Sequence, residues 1–367
     1  MMTSFHKALG VSINGTKVKN NLPIISTGIP SLDHIIGGGL PASSIFLVEE
    51  DVLGNYCRVL SKYFLAEGIV CQHALFIASC DEDSREFVKE LPIPTTAPPA
   101  EEPGLPTEGI DKMKIAWRYE SLRPVESSFG ATSNFGHHFD LSKHVDAETI
   151  KNSNITYWNP SDNQQLKSGF NNNLYHDLLV NIKNLVSKEE YQIGGKSKKN
   201  ILRISIQSLG SPVWTADESG DDTSVYRKDL QKFMYCLRVI LRDTTAVAYI
   251  TMPMHLFDDI SLTNSLLYSV DNAVRLESFA GSSRETNPVF KDYNGLFHVT
   301  KLSTINSLVH FVPPSLDMAF KLRRKKFNIE KLHLPPELEE SSEREQDDIT
   351  ATPKVSCGGF KKKDIDF

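Results

Sequence analysis

The chain of 367 residues lacks several features that would assign it to a common class. It has no uninterrupted apolar run of about 18 residues, which excludes an ordinary transmembrane helix. Its first ten residues contain no apolar stretch flanked by basic residues, so we expect no secretory signal. It also has no internal repeat and no nucleophile motif such as G-x-S-x-G. These absences give no support to a membrane protein or to a serine hydrolase.

Cysteine is scarce, and no two cysteines form a C-x-x-C pair. This pattern argues against a disulfide scaffold and favours reduced thiols, as found in the cytosol or the nucleus. We therefore expect a cytoplasmic protein that is also nuclear. The five cysteines are Cys57, Cys71, Cys80, Cys236 and Cys357.

Three histidines and two aspartates lie close together in the middle of the chain and raise the question of a metal site. They are His137, His138, His144, Asp140 and Asp146. Their spacing matches no zinc motif, and phenylalanines flank them, so core and surface histidines are the favoured interpretation. We predict no metal site here.

The formal net charge is −6, from 40 basic and 46 acidic residues, so any attraction to nucleic acid must be local. Two basic clusters could supply it. Each also has a simpler interpretation, as a solvated loop or as a strand edge protected by charge, and both interpretations stay open. The clusters are Lys196, Lys198 and Lys199 on a glycine turn, and Lys321, Arg323, Arg324, Lys325 and Lys326 between Phe320 and Phe327.

Short buried strands alternate with amphipathic helices through most of the chain. The predicted strands span residues 44–48, 74–78, 201–206 and 246–252, and the helices span residues 56–67, 84–91, 175–186 and 229–241. This alternation predicts an α/β fold with a mostly parallel sheet. Three further predicted strands, at residues 271–278, 295–301 and 316–328, are typical of antiparallel pairing.

Composition also divides the chain into segments. Residues 1–22 are polar and predict a flexible N-terminal arm, while residues 23–336 form the predicted domain. A proline-rich insertion at about residues 91–109 and a loop at about residues 121–134 interrupt it. Residues 337–367 combine an acidic run with a basic end and have little apolar content, which predicts disorder.

The first buried strand leads into what would be a phosphate-binding loop in a nucleotide-binding protein. The spacing G-x-x-x-x-G-K-[ST] places Glu49 at the first glycine, Gly54 at the second, Asn55 at the lysine and Tyr56 at the magnesium-ligating hydroxyl. Three consecutive acids begin at Glu49, and like charges about 4 Å apart repel by about 1 to 4 kcal/mol. The loop therefore has the spacing but not the chemistry of an ATP site.

A magnesium-binding acid is also missing from its expected place. The strand at residues 201–206 runs into Gln207 instead of an aspartate. Asp81, Glu82 and Asp83 follow another strand, but acids in that position are more often a solvated helix N-terminus. We therefore predict no ATP hydrolysis and no catalytic residue in this chain.

Several motifs together give the chain a family resemblance. They are Gly28 to Asp33, the stretch from Gly37 to Tyr56, Lys114 to Tyr119, Phe139 to Leu141, Ser208 to Trp214, Lys321 to Phe327 and Leu332 to Pro336. In this order the motifs resemble the PAXNEB family of Elongator subunits over about residues 23–336. The set is specific, although each motif alone is weak.

The resemblance implies a RecA-like fold of the P-loop type without a functional Walker A motif. It also implies a heterohexameric ring with the fifth and sixth Elongator subunits, which binds tRNA and joins the catalytic subcomplex. That subcomplex modifies the wobble uridine of tRNA to carboxymethyl-type derivatives. The resemblance implies an accessory, non-catalytic subunit with no cofactor of its own, and it leaves open ATP held between ring subunits.

Two alternatives stay beside this hypothesis. The first is an ATPase or recombinase relative with an unorthodox phosphate site, and saturable ATP binding by the isolated chain would identify it. The second is a protein–protein adaptor that recruits partners through its acidic tail, and deletion of residues 337–367 would test it. The residues predicted to contact nucleic acid are those of the two basic clusters.

Overall fold

The computed structural model describes residues 13–95, 135–160, 169–193, 197–214, 223–304, 306–309 and 311–333. Its strands are β1 (Thr16–Lys19), β2 (Leu22–Ile25), β3 (Leu40–Pro41), β4 (Ser44–Glu49), β5 (Ala74–Ala78), β6 (Pro92–Thr95), β7 (His138–His144), β8 (Ile155–Trp158), β9 (Leu202–Ile206), β10 (Ala246–Met252), β11 (Asn272–Ser278), β12 (Gly295–Lys301), β13 (Met318–Leu322) and β14 (Phe327–Lys331). Its α-helices are α1 (Pro30–Ile35), α2 (Asn55–Val70), α3 (Ser84–Lys89), α4 (Ala147–Asn152), α5 (Asn173–Val186), α6 (Thr223–Leu241) and α7 (Ile260–Ser269).

A nine-stranded sheet organises the fold, in the order β14-β13-β12-β11-β4-β10-β9-β5-β8. The six strands from β11 to β8 are parallel, and β12, β13 and β14 extend the sheet with antiparallel pairing. A mostly parallel sheet flanked by helices and extended by C-terminal antiparallel strands confirms the predicted RecA-like α/β class.

The sheet has a hydrophobic core on each face, and β4 shows why. All six of its residues are buried, and successive side chains point to opposite faces. Phe46 and Val48 join the core under α1 and α2, whereas Ile45 and Leu47 join the core under α5, α6 and α7. A strand that is apolar on both sides must be covered on both sides, which explains the layers of helix.

Three expected segments differ in the structure. Thr16–Lys19 was expected in an arm but pairs with β2, and Ile13 before it is buried. Pro92–Thr95, at the start of the expected insertion, pairs with β7. Residues 316–328 are not one strand, because the chain reverses between β13 and β14 at the basic residues. Most of the expected insertion, the loop at residues 121–134 and the expected tail lie outside the described residues.

Other expectations can be compared directly. Helix α1 begins at Pro30 after Ile29, and the Ser31 hydroxyl in its first turn accepts a hydrogen bond from the Ile329 amide at 3.2 Å. The four cysteines in the described part of the chain are all free. No helix among the described residues is long and apolar enough to cross a membrane.

Candidate functional site: the acidic loop and the basic turn

The carboxyl ends of the parallel strands form the edge at which open α/β sheets hold their ligands. Residues 49–54 lie at this edge, between the body of β4 and the start of α2, and we call them the acidic loop. Gly54, just before α2, has a φ of +66°, a left-handed conformation that glycine adopts without strain. The backbone thus turns directly from a buried strand into a helix, as the phosphate-loop spacing predicts.

The first two acids of the acidic loop, Glu49 and Glu50, are buried and accept hydrogen bonds from hydroxyl groups of the same chain. The Thr300 hydroxyl donates to Glu49 Oε1 at 2.9 Å, and the Ser208 hydroxyl donates to Glu50 Oε1 at 3.0 Å. Burial raises the pKa of both carboxyl groups, and Asp81 and Asp51 add to the effect at Glu50. A threonine and a serine hydroxyl thus serve these two carboxyl groups from within the chain.

The third acid takes the place that a phosphate would need. Asp51 is 2% exposed, and its Oδ1 accepts a hydrogen bond from the Tyr56 amide in the first turn of α2 at 3.2 Å. Amides at a helix N-terminus attract anions, and here the protein supplies the anion itself. The Tyr56 ring packs on Phe320, with centroids 4.8 Å apart, so Tyr56 belongs to the core contact with β13.

The polar residues at the neighbouring strand ends make hydrogen bonds within the chain. Gln207 follows β9, as expected, and its backbone N–H donates to the Ala78 carbonyl at 2.9 Å. Asp83 is the N-cap of α3 and accepts from the Arg85 amide at 2.9 Å, which agrees with the helix N-terminus interpretation. The Ser211 hydroxyl donates to Asp81 at 3.1 Å. Internal hydrogen bonds thus hold part of this edge, while Asp51 Oδ2, Glu82 Oε1 and Gln207 Nε2 are buried there without a hydrogen-bond partner among the described residues.

The second basic cluster forms the turn between β13 and β14. The Arg323 amide donates to the Lys326 carbonyl at 2.9 Å, which closes the turn. Arg323, Arg324 and Lys325 are exposed and Lys326 is half-buried; within the described residues none of the four forms an ion pair. We call residues 323–326 the basic turn.

Not all predicted bases belong to this turn. Lys321 pairs with Glu330 at 2.8 Å and lies over the Tyr293 ring, 4.5 Å from its centroid, so the fold uses it internally. Phe320 and Phe327 are buried and stack on each other, as expected for core residues.

The first basic cluster is separate. Lys199 donates to the carbonyls of Glu189 and Gln192 and holds a turn, Lys198 is exposed, and Lys196 lies outside the described residues. These lysines precede β9, at the amino ends of the parallel strands. The basic turn follows β13, which runs in the same direction as the parallel strands. The two clusters thus do not meet.

Sequence reasoning missed a neighbour of the basic turn. The Leu141 amide in β7 donates to the Lys325 carbonyl at 2.9 Å, which places β7 along the turn. Lys143, two residues later, is exposed and contributes with Lys325 to the low pKa of Asp140, after the hydrogen bonds from Ser142. About 180 residues separate Lys143 from the turn in sequence, so no local pattern could indicate this contact.

The structure gives His137 a partner that is distant in sequence. His137 faces Glu67, not the aspartates near it in sequence: its amide donates to Glu67 Oε2 at 3.1 Å and its Nδ1 lies 3.1 Å from Oε1. The hydrogen bond that the His137 ring donates to the Glu67 carboxylate raises the pKa of His137. Asp140 instead accepts from the Ser142 amide and hydroxyl.

Known proteins support the family resemblance. The family described as PAXNEB protein matches residues 10–367. A protein named Elongator complex protein 4 from Danio rerio is 39% identical over 362 residues, covering 93% of this chain and 90% of the relative. Its namesake from Homo sapiens is 39% identical, covering 97% and 89%, and that from Drosophila melanogaster is 36% identical, covering 93% and 95%.

Proposed function

Because the chain belongs to the PAXNEB family, we propose that it is a non-catalytic structural subunit of the Elongator complex. In this proposal it forms a ring with the fifth and sixth Elongator subunits and contributes part of a tRNA-binding surface. The ring supports modification of the wobble uridine, while the chemistry belongs to the catalytic subcomplex. The names of the relatives support membership of the Elongator complex, and the exposed basic turn supports the contact with tRNA.

The basic turn carries the RNA part of this proposal. Phosphate contacts need cations that can reach the ligand, and the four basic side chains of residues 323–326 form no ion pair within the described part of the chain. Lys143 adds a fifth base beside them, and its side chain is exposed. Asp140 is the acid that β7 places nearby, so the local charge stays positive although the net charge of the chain is −6.

The experiment replaces Arg323, Arg324, Lys325 and Lys326 with alanine and measures tRNA binding by the assembled ring across a salt series. Loss of four phosphate contacts should make the slope of log affinity against log salt concentration shallower by about 3. The matched control replaces four exposed bases elsewhere: Lys183, Lys188, Arg242 and Lys291. If both variants bind tRNA like the wild type while the ring stays assembled, the basic turn does not contact RNA.

The alternative of an ATPase with an unorthodox phosphate site is disfavoured by Asp51, which already occupies the amide end of α2. We expect no saturable binding of labelled ATP by the isolated chain at micromolar concentrations. The comparison variant is Gly54→Ala, which alters the backbone of the acidic loop. Saturable binding that this substitution abolishes would reverse the conclusion.

A further inference from the structure

Three side chains of different chemistry converge at the C-terminal end of α2. Glu67 and Cys71 are four residues apart and so lie on one face of the helix, and His137 reaches them from the segment before β7. His137 Nδ1 lies 3.1 Å from Glu67 Oε1, and Cys71 Sγ lies 3.4 Å from the same oxygen. One ligand atom from each residue lies within 4.8 Å of the other two.

This combination is the ligand set of a zinc site. Zinc in proteins takes thiolate, imidazole and carboxylate ligands at about 2.0 to 2.3 Å in a tetrahedron, which places ligand atoms about 3.3 to 3.7 Å apart. The two measured separations fall within a few tenths of an ångström of that range. Rotation of the His137 side chain can shorten the separation between Cys71 Sγ and His137 Nδ1, because this side chain is 46% exposed and has room to move.

We propose that Glu67, Cys71 and His137 form a Zn²⁺ site, with water in the fourth position. Glu67 and Cys71 are buried and rigidly placed by α2, and His137 is the solvent-facing ligand through which the ion enters. His73 lies close to Cys71 but is not a ligand. Its Nε2 bonds to the Asn14 carbonyl at 2.8 Å, and its Nδ1 accepts from Arg203 at 3.0 Å.

The charges around the site accommodate a divalent cation. Arg203 is fully buried beside Glu67 and contributes one positive charge, so a zinc ion would bring the local total to three. Without metal, burial raises the pKa of the Cys71 thiol to about 12 and keeps it neutral. With zinc bound, the Cys71 thiolate, ionised Glu67 and buried Asp33 would supply three negative charges. Binding releases the Cys71 thiol proton, since the metal ligand is the thiolate. It also removes the Nδ1 proton that His137 directs at Glu67, so that the bound imidazole keeps its proton on Nε2.

The proposed site has a structural consequence. It joins the end of α2 to the segment that leads into β7, and β7 contacts the basic turn through the Leu141 amide and the Lys325 carbonyl. The bound ion would therefore stabilise the position of β7 beside the basic turn. The zinc site does not depend on RNA binding by the basic turn, because the geometry of its three ligands alone supports it.

The test uses the full-length chain, freed of metal with a chelator and titrated with Co²⁺, followed by competition with Zn²⁺. We expect one equivalent of Co²⁺ with tetrahedral absorption bands and a thiolate charge-transfer band. Cys71→Ser and His137→Gln should each lower the affinity by more than about 100-fold, the upper end of the loss caused by a missing outer-shell partner. The matched controls, Cys80→Ser and His138→Gln, should bind like the wild type.

Zinc should also raise the urea midpoint of the wild type and of both controls, but not that of His137→Gln. If Cys71→Ser fails to fold, His137→Gln decides, because its side chain is partly exposed. A simple ion pair between Glu67 and His137 would give a midpoint insensitive to zinc and chelator. That result, or a Co²⁺ spectrum without a thiolate band, would overturn the proposal.

Discussion

The acidic loop after β4 and the basic turn after β13 end strands that run in the same direction, yet their charges face opposite ways. Glu49, Glu50 and Asp51 are at most 9% exposed and bond to hydroxyls or backbone amides of the same chain. Arg323, Arg324 and Lys325 project into solvent. Charges that the fold buries are held by contacts within the chain, whereas charges that it leaves exposed are available to a partner.

The same contrast separates the two halves of the large sheet. The parallel half encloses charged groups such as Arg203 in β9, which is fully buried and donates to the Ser26 and Phe64 carbonyls at 2.9 and 3.0 Å. The antiparallel half holds its charges near the surface, as in the pair of Lys321 and Glu330. Substitutions should therefore affect stability in the first half and binding in the second.

The largest effect is expected at Arg203. Replacement with methionine removes a buried cation and leaves the Ser26 and Phe64 carbonyls without their donor. We expect the free energy of unfolding to fall by about 3 to 5 kcal/mol. Urea denaturation measures it, with Arg242→Met, an exposed arginine, as the control. Equal midpoints for the two variants would show that the buried charge is not structural.

The next effect depends on pH and concerns His73. Burial, followed by the charge of Arg203, lowers the pKa of His73 from 6.5 to about 3. Between these values the unfolded chain binds a proton that the folded chain does not, so stability falls as the pH falls from 6.5 towards 3. Buried Asp33, whose pKa is raised to about 6, acts in the opposite sense between pH 3.8 and 6.

The difference in unfolding free energy between the wild type and His73→Gln isolates the histidine, because Asp33 is present in both proteins. Below pH 6.5 the wild type should lose up to about 1.4 kcal/mol per pH unit relative to the variant. His255→Gln, at an exposed histidine, is the control and should follow the wild type. A pH-independent difference would mean that His73 titrates normally in the folded protein.

A smaller effect of opposite sign is expected at Glu50. Burial raises the pKa of this carboxyl group, so its ionised form is penalised in the folded protein at neutral pH. Glu50→Gln keeps an acceptor for the Ser208 hydroxyl and removes repulsion from Asp51 and Asp81. We expect a gain of about 1 kcal/mol at pH 8 by urea denaturation. The control, Glu148→Gln on an exposed part of α4, should change the free energy of unfolding little. A loss of stability in Glu50→Gln would show that the Glu50 carboxylate itself stabilises the fold.

The smallest effect on stability is expected at the basic turn. Replacing Arg323 and Arg324 with alanine should change the free energy of unfolding by less than about 0.5 kcal/mol, since both side chains are exposed. Thermal unfolding of the purified chain checks this value. A loss of several kcal/mol would remove the contrast between the acidic loop and the basic turn.

Local pattern predicted the parallel half of the fold well, because β4, β5, β9 and β10 are short apolar runs between amphipathic helices. It was wrong where pairing depends on distant residues. Thr16–Lys19 has little apolar content of its own, and its partner β2 makes it a strand. The basic run was included in one strand because turn closure between Arg323 and Lys326 has no hydrophobic signal.

The candidate sites divide in the same way. The acids of the acidic loop are consecutive, so their misfit with a phosphate could be predicted from the sequence alone. The burial of those acids could not, since Thr300 and Ser208 come from distant elements. Likewise, His137 was compared with neighbouring aspartates, whereas its partner Glu67 lies 70 residues earlier in α2.

Helix α2 contacts the acidic loop, the hairpin that carries the basic turn and the segment before β7. The Tyr56 amide in its first turn donates to Asp51, and the Tyr63 hydroxyl in its middle accepts from the Phe327 amide at 3.0 Å. Near its end, Glu67 accepts from the His137 amide. Sixteen residues make it about 24 Å long, and a helix of that length behaves as a stiff rod. The position of the acidic loop and the position of the hairpin that carries the basic turn are therefore both set by one rigid element.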